Sequence, residues 1–194
     1  MKKILYVISN EKIFHNNKIY YCDNLDMKST PEGLNKDFNV KIIARKSSVN
    51  KAQTIHLESI KTFSNILTYT YEVLKSSKNN NSQYLIVSLS PYTFLAGIIL
   101  KILGKKPFFY LRSNGYDEYK IILGVIGKFI YHLMFIFTSK ISILISCRKH
   151  ILMGKKGHVV SPSQLDHSWQ KNRVTALTDK INLIYVGRIR KEKG

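Results

Sequence analysis

At 194 residues the chain can build one domain with a sizeable core, and its 44% hydrophobic content, with 12 Tyr and 9 Phe, excludes a disordered or fibrous protein. The 31 basic residues outnumber the 12 acidic ones to give a net charge of +19, which favours polyanionic partners such as nucleic acid, anionic lipid or nucleotide phosphates. Cys22 and Cys147 are too far apart in sequence, and lack the ligand spacing, for a disulfide framework or a zinc site; they fit a reduced, cytoplasmic setting.

In chain order, the opening MKKILYVIS reads as a first strand, since no small-residue cleavage site follows its short apolar run. Apolar runs at 4–8, 40–44, 84–89, 107–111, 140–146, 158–160 and 183–186 predict strands, and 62–76, 92–103 and 120–138 predict helices. Gly104 stands where a helix C-cap belongs, before the Lys105-Lys106-Pro107 turn. Strands alternating with helices imply an α/β chain with a Rossmann-like, doubly wound parallel sheet. The polar stretch 176–182 is the candidate interdomain linker, so that 1–178 forms one domain and 179–194 the linker and first strand of a truncated second one. A buried strand at 183–186 needs neighbours that the remaining residues do not supply, which implies the front portion of a longer two-domain protein.

From Tyr119 to Leu165 there is no Asp or Glu, while Lys120, Lys128, Lys140, Arg148, Lys149, Lys155 and Lys156 lie among large apolar residues. Such a pattern suits a membrane surface better than a DNA groove. Within it, 121–137 is apolar except for Lys128 and His132, and at about 26 Å it falls short of a bilayer core of about 30 Å. Two readings stand: a mostly buried core helix with a narrow wet stripe, or a helix that also docks on a bilayer.

Ligands of doubly wound sheets bind beyond the carboxyl ends of strands. The loop SNEKIFHNN after Ile8 has no Gly-rich phosphate cradle, which disfavours an NAD enzyme. RSNGYDEYK gathers Arg112, Asn114, Asp117 and Glu118, able to hydrogen-bond a hydroxyl-rich or phosphate-bearing ligand, or else, through Asn114 or Asp117, to cap the next helix. In HVVSPSQLD, capping is the favoured role of Ser161, Ser163 or Asp166, and a lone His15 near the first strand end is read as structural. GRIRKEKG offers Arg188, Arg190, Lys191 and Lys193 as either a solvated face or a diphosphate site.

YVGRIRKEKG resembles the opening of the C-terminal domain of family 4 (group 1) glycosyltransferases, enzymes of the GT-B fold with two Rossmann-like domains around a cleft. PFFYLRSNGYDEYK and ISCRKHILMGKKGHVVSPSQLD are similar to the second half of their acceptor-side N-terminal domain. The resemblance implies sugar transfer from a nucleotide-sugar donor to a glycan or lipid-linked acceptor, with retention, no cofactor and no essential metal. By motif position it makes Arg188 and Lys193 the donor-diphosphate pair and puts Arg112, Asn114, Asp117 and Glu118 on the acceptor side. It places such an enzyme in cell-surface polysaccharide or glycolipid synthesis, peripheral at the inner membrane face. Most of the donor domain lies beyond Gly194, so this chain alone is expected to be inactive. The competing reading is a non-catalytic basic module that binds anionic membrane or a partner subunit. Nucleic acid ranks last, since the basic residues form no dense cluster or recognition helix.

Overall fold

The computed structural model describes residues 2–160. The expected linker at 176–182, the strand at 183–186, the boundary at 178, and Ser161, Ser163, Asp166, Arg188, Arg190, Lys191 and Lys193 lie outside the described residues. Within them the chain is α/β, with four helices and a mixed, mostly parallel sheet.

The strands are β1 (Ile4–Asn16), β2 (Ile19–Cys22), β3 (Asn39–Lys46), β4 (Gln53–Ile55), β5 (Ser59–Phe63), β6 (Ser82–Val87), β7 (Phe108–Leu111), β8 (Ile143–Ser146) and β9 (Gly157–Val159). The helices are α1 (Asp26–Leu34), α2 (Ile66–Ser77), α3 (Pro91–Ile102) and α4 (Gly115–Ile141). Parallel pairing gives the order β5-β3-β1-β6-β7-β8-β9. The first strand is central, and the order runs outward from it in both directions, as in a dinucleotide-type sheet. Right-handed crossovers put helices on opposite faces as the winding direction reverses. Accordingly, Met27 of α1 packs with Leu5, Val7 and Ile42 on one face, and Tyr69, Ala96 and Phe135 of α2, α3 and α4 pack with Ile8, Ile43 and Ile86 on the other.

Three corrections to the sequence reading concern the sheet. SNEKIFHNN is no loop: β1 continues to Asn16 and forms an antiparallel hairpin with β2, and β4 adds to it, so the sheet is mixed rather than wholly parallel. Helix α2 begins at Ile66, because Thr62 and Phe63 belong to β5. Lys140 and Ile141 end α4 instead of opening β8. The Gly104 expectation holds in detail: with φ 73° it follows Leu103, its N–H donates to the Lys101 carbonyl, and the Lys105 N–H donates to the Leu100 carbonyl at 2.8 Å. These are the paired bonds of a Schellman motif.

Helix α4 is the largest departure. By length and apolarity its 27 residues could cross a bilayer. In a straight helix, however, residues 116 and 131 would lie about 22 Å apart, whereas their rings are 4.9 Å apart. Tyr116 also meets Phe135 at 5.9 Å, and its hydroxyl lies 2.9 Å from His132 Nδ1. The chain therefore doubles back at Gly124, whose φ 64° and ψ −147° only glycine adopts readily. A Cβ at Gly127 would overlap the Tyr119 carbonyl, and one at Gly115 the Tyr131 ring, so both closest approaches need glycine. The result is an antiparallel helical hairpin with arms 115–123 and 125–141, about 13 and 26 Å long, each shorter than a bilayer core. Tyr131, Met134, Phe135 and Thr138 bury the base of the second arm. The turn is bare: Ile122 is 70%, Val125 79% and Ile126 70% exposed. The mostly buried core helix is overturned.

Candidate functional site

The carboxyl edge of the sheet carries, in spatial order, Arg45 near the end of β3, Asn10 within β1, Ser88 after β6, Arg112 after β7 and Arg148 after β8. The winding reverses between β1 and β6, which is where open α/β sheets hold ligands. There the two strands part: Ser9 opposite Val87 is their last pair, and β1 continues beside β3, through a register shift, to Ile13 opposite Lys46.

Side chains from four elements, β1, β3, α2 and α3, meet at this divergence. The Arg45 guanidinium lies 4.6 Å over the Tyr92 ring and its Nη1 donates to Asn10 Oδ1 at 3.4 Å. Tyr92 meets Tyr69 edge-on at 5.4 Å, and the Tyr69 hydroxyl donates to the Ser9 carbonyl at 3.2 Å. Burial, then Tyr92, raises the Tyr69 hydroxyl far above the usual phenol range, partly offset by Arg45, so it stays a neutral donor. Across the gap, Ser88 adopts φ 63°, an uncommon conformation for a residue with a side chain. It is held by its N–H to the Tyr110 carbonyl at 2.9 Å and by Thr93 Oγ1 donating to its own carbonyl at 2.8 Å. Ser90 and Thr93 form a reciprocal capping box for α3, with Pro91 at the first helical position.

The residues of RSNGYDEYK do not form one cluster. Arg112 Nε lies 3.0 Å from Asp26 Oδ2 at the start of α1, and the Arg112 carbonyl accepts from the Cys147 thiol at 3.1 Å. Asn114 caps α4, its Oδ1 accepting from the Tyr116 N–H at 3.2 Å while its Nδ2 donates to Asp117 Oδ2 at 2.6 Å. Asp117 and Glu118 are exposed in the first turn, where carboxylates complement the helix dipole. The fixed cation is thus tied to α1 while the amide and carboxylates serve the start of the hairpin. His15 stacks on Tyr20 at 4.5 Å, out along the β1–β2 hairpin.

Sequence reasoning missed Asn10, Arg45, Ser88 and Tyr92. Arg45 directly follows the run 40–44, so inspecting every strand end for charge would have found it; Ser88 gives no sequence signal for its positive φ. Among the described residues no three His, Cys, Asp or Glu side chains converge as metal ligands. The edge can bind anionic or hydroxyl-rich groups through Arg45, Arg112 and Arg148 beside amide and hydroxyl partners. No family model, curated protein or solved structure matches the chain.

Proposed function

We propose that the chain is the acceptor-side portion of a retaining glycosyltransferase of family 4, GT-B in architecture, that moves a sugar from a nucleotide-sugar donor to a glycan or lipid-linked acceptor. The observation that carries this reading is a sheet wound outward from a central first strand, with arginines along its carboxyl edge, in a chain whose sequence ends in YVGRIRKEKG. In this reading Arg188 and Lys193 bind the donor diphosphate and offset the charge that develops on it as the glycosidic bond breaks. Arg112 and Asn114, at the end of β7, face the acceptor, with Asp117 and Glu118 one turn further on. The reaction uses no cofactor and no essential metal, the cationic pair taking the place of a divalent ion.

The test is transfer of label from nucleotide-sugars into membrane lipid and glycan fractions by the whole gene product. Arg188→Ala and Lys193→Ala should each lower transfer by about 10²- to 10³-fold, the scale of losing one pre-organised charge-stabilising group. A gene product that neither binds a nucleoside diphosphate nor transfers any sugar would overturn the proposal in favour of a non-catalytic module.

A further inference from the structure

The turn of the α4 hairpin is an unpartnered apolar surface with a definite setting. Ile121, Ile122, Leu123, Val125, Ile126 and Phe129 are each more than half exposed, and all lie within nine consecutive positions around the reversal at Gly124. A soluble surface rarely leaves so many large aliphatic side chains together unless something covers them. The first arm starts at Asn114, just past the end of β7, and its partner arm returns alongside it before running down to β8. Tyr131 lies against Tyr116 and Tyr119, so residues 121–130 extend past the contact that anchors the hairpin at the carboxyl edge.

Charge selects the covering partner. Lys120 and Lys128 flank the turn and are exposed, and no acidic residue occurs from Tyr119 to the end of the described residues; Asp117 and Glu118 stand at the foot of the first arm. A protein partner that buried this turn would have to desolvate both lysines, whereas an anionic headgroup layer receives them while its acyl region takes the aliphatic side chains.

We propose that the hairpin turn, residues 121–130, seats in one leaflet of an anionic bilayer without crossing it, and that this seat holds the carboxyl edge of the sheet at headgroup level. The delivery of a lipid-linked acceptor to Arg112 and Asn114 rests on the transferase reading; the seat itself does not.

The experiment is flotation of the full chain with vesicles of phosphatidylcholine alone or with 30 mol% phosphatidylglycerol. It is paired with fluorescence of Ile126→Trp in a Trp169→Phe background, using lipids brominated on the acyl chains. The chain should float with the anionic vesicles, and the new indole should shift to the blue and be quenched. Ile126→Ser with Phe129→Ser should lower partition about a hundredfold or more, and Lys120→Gln with Lys128→Gln about 25-fold, from about fivefold per lysine. Leu67→Ser, equally exposed on α2, should leave partition unchanged, and unaltered far-UV circular dichroism would show that the turn variants remain folded. A chain that stays with the bulk solution, an unquenched indole, or turn variants that abolish self-association in light scattering while sparing flotation would overturn the seat, the last result assigning the turn to a second copy. Transfer to a water-soluble acceptor separates the two proposals: it survives the turn variants if only the seat fails and is absent from wild type if the transferase reading fails.

Discussion

Replacing Gly124 by Ala isolates the backbone contribution to the α4 reversal. A methyl added there meets nothing within 4 Å, so the penalty comes entirely from holding φ 64°, ψ −147° with a side chain, about 1–3 kcal/mol. The competing outcome is a straight α4, which Ala favours over Gly by about 1 kcal/mol. Straightening forfeits the Tyr116–Tyr131 and Tyr116–Phe135 ring pairs and the Tyr116–His132 hydrogen bond. At about 0.5–1.5 kcal/mol for each ring pair and a similar amount for the hydrogen bond, these contacts together with the buried surface of Tyr131 and Phe135, which would return to water, outweigh the propensity gain and the relieved strain combined. The hairpin should therefore persist in a strained form, with urea unfolding followed by far-UV circular dichroism showing a loss of about 1–3 kcal/mol and a Tm lower by about 3–9 °C. Gly33→Ala is the internal contrast: it sits in α1 without a positive φ or a neighbour in range, and should stabilise by about 0.5–1 kcal/mol. A neutral or stabilising Gly124→Ala would refute the reversal and restore a continuous helix.

Ser90→Ala removes the α3 cap and should cost about 1 kcal/mol in the same urea assay, while Thr93→Val, which strips the hydroxyl bonded to both Ser88 and Ser90, should cost about 1–3 kcal/mol. Burial, reinforced by Glu11, raises the Cys22 thiol to about 11, leaving roughly a thousandth as thiolate at pH 8. Iodoacetamide should thus modify the half-buried Cys147 first and reach Cys22 only on unfolding, as peptide mapping would show. Tyr69 keeps its proton in the fold but ionises near pH 10 when unfolded, so its contribution to stability is complete below about pH 10 and declines above it, by up to about 1.4 kcal/mol per pH unit. The stability of Tyr69→Phe, measured between pH 9 and 11.5, should fall less steeply than that of wild type.

The inner parallel strands β1 and β6 were legible because they are largely buried and read as apolar runs, LYVI and YLIV, whereas β5, SIKTF, is parallel but mixes polar and part-exposed residues and gave no such run. The hairpin was hidden by its own solvation: beyond Ile8, β1 alternates the buried Ile13 with exposed polar residues, and its turn places Asn17 and Lys18 at φ 45° and 65°, where Lys gives no turn signal. Helix α1 was hidden by Pro31 and Gly33, which its nine residues tolerate because Met27 and Pro31 bury against the sheet. Of the site, Arg112 was placed at the correct strand end, but its pairing with Asp26 depends on a crossover that local sequence does not encode. The Gly124 reversal was invisible for a related reason: periodicity reports which residues are apolar, and both sides of a helical hairpin satisfy it as well as one long helix does.

The central position of β1 bears on how the chain acquires its fold during synthesis. The first strand to leave the ribosome pairs with residues 39–46 on one side and 82–87 on the other, so the segment Ile4 to Ser9 stays without its second neighbour until nearly half the chain has emerged. A sheet nucleated by such distant contacts forms slowly. Throughout that interval ILYVIS is a bare apolar edge, the point at which a holding chaperone would engage the nascent chain and at which overexpression would first produce aggregates.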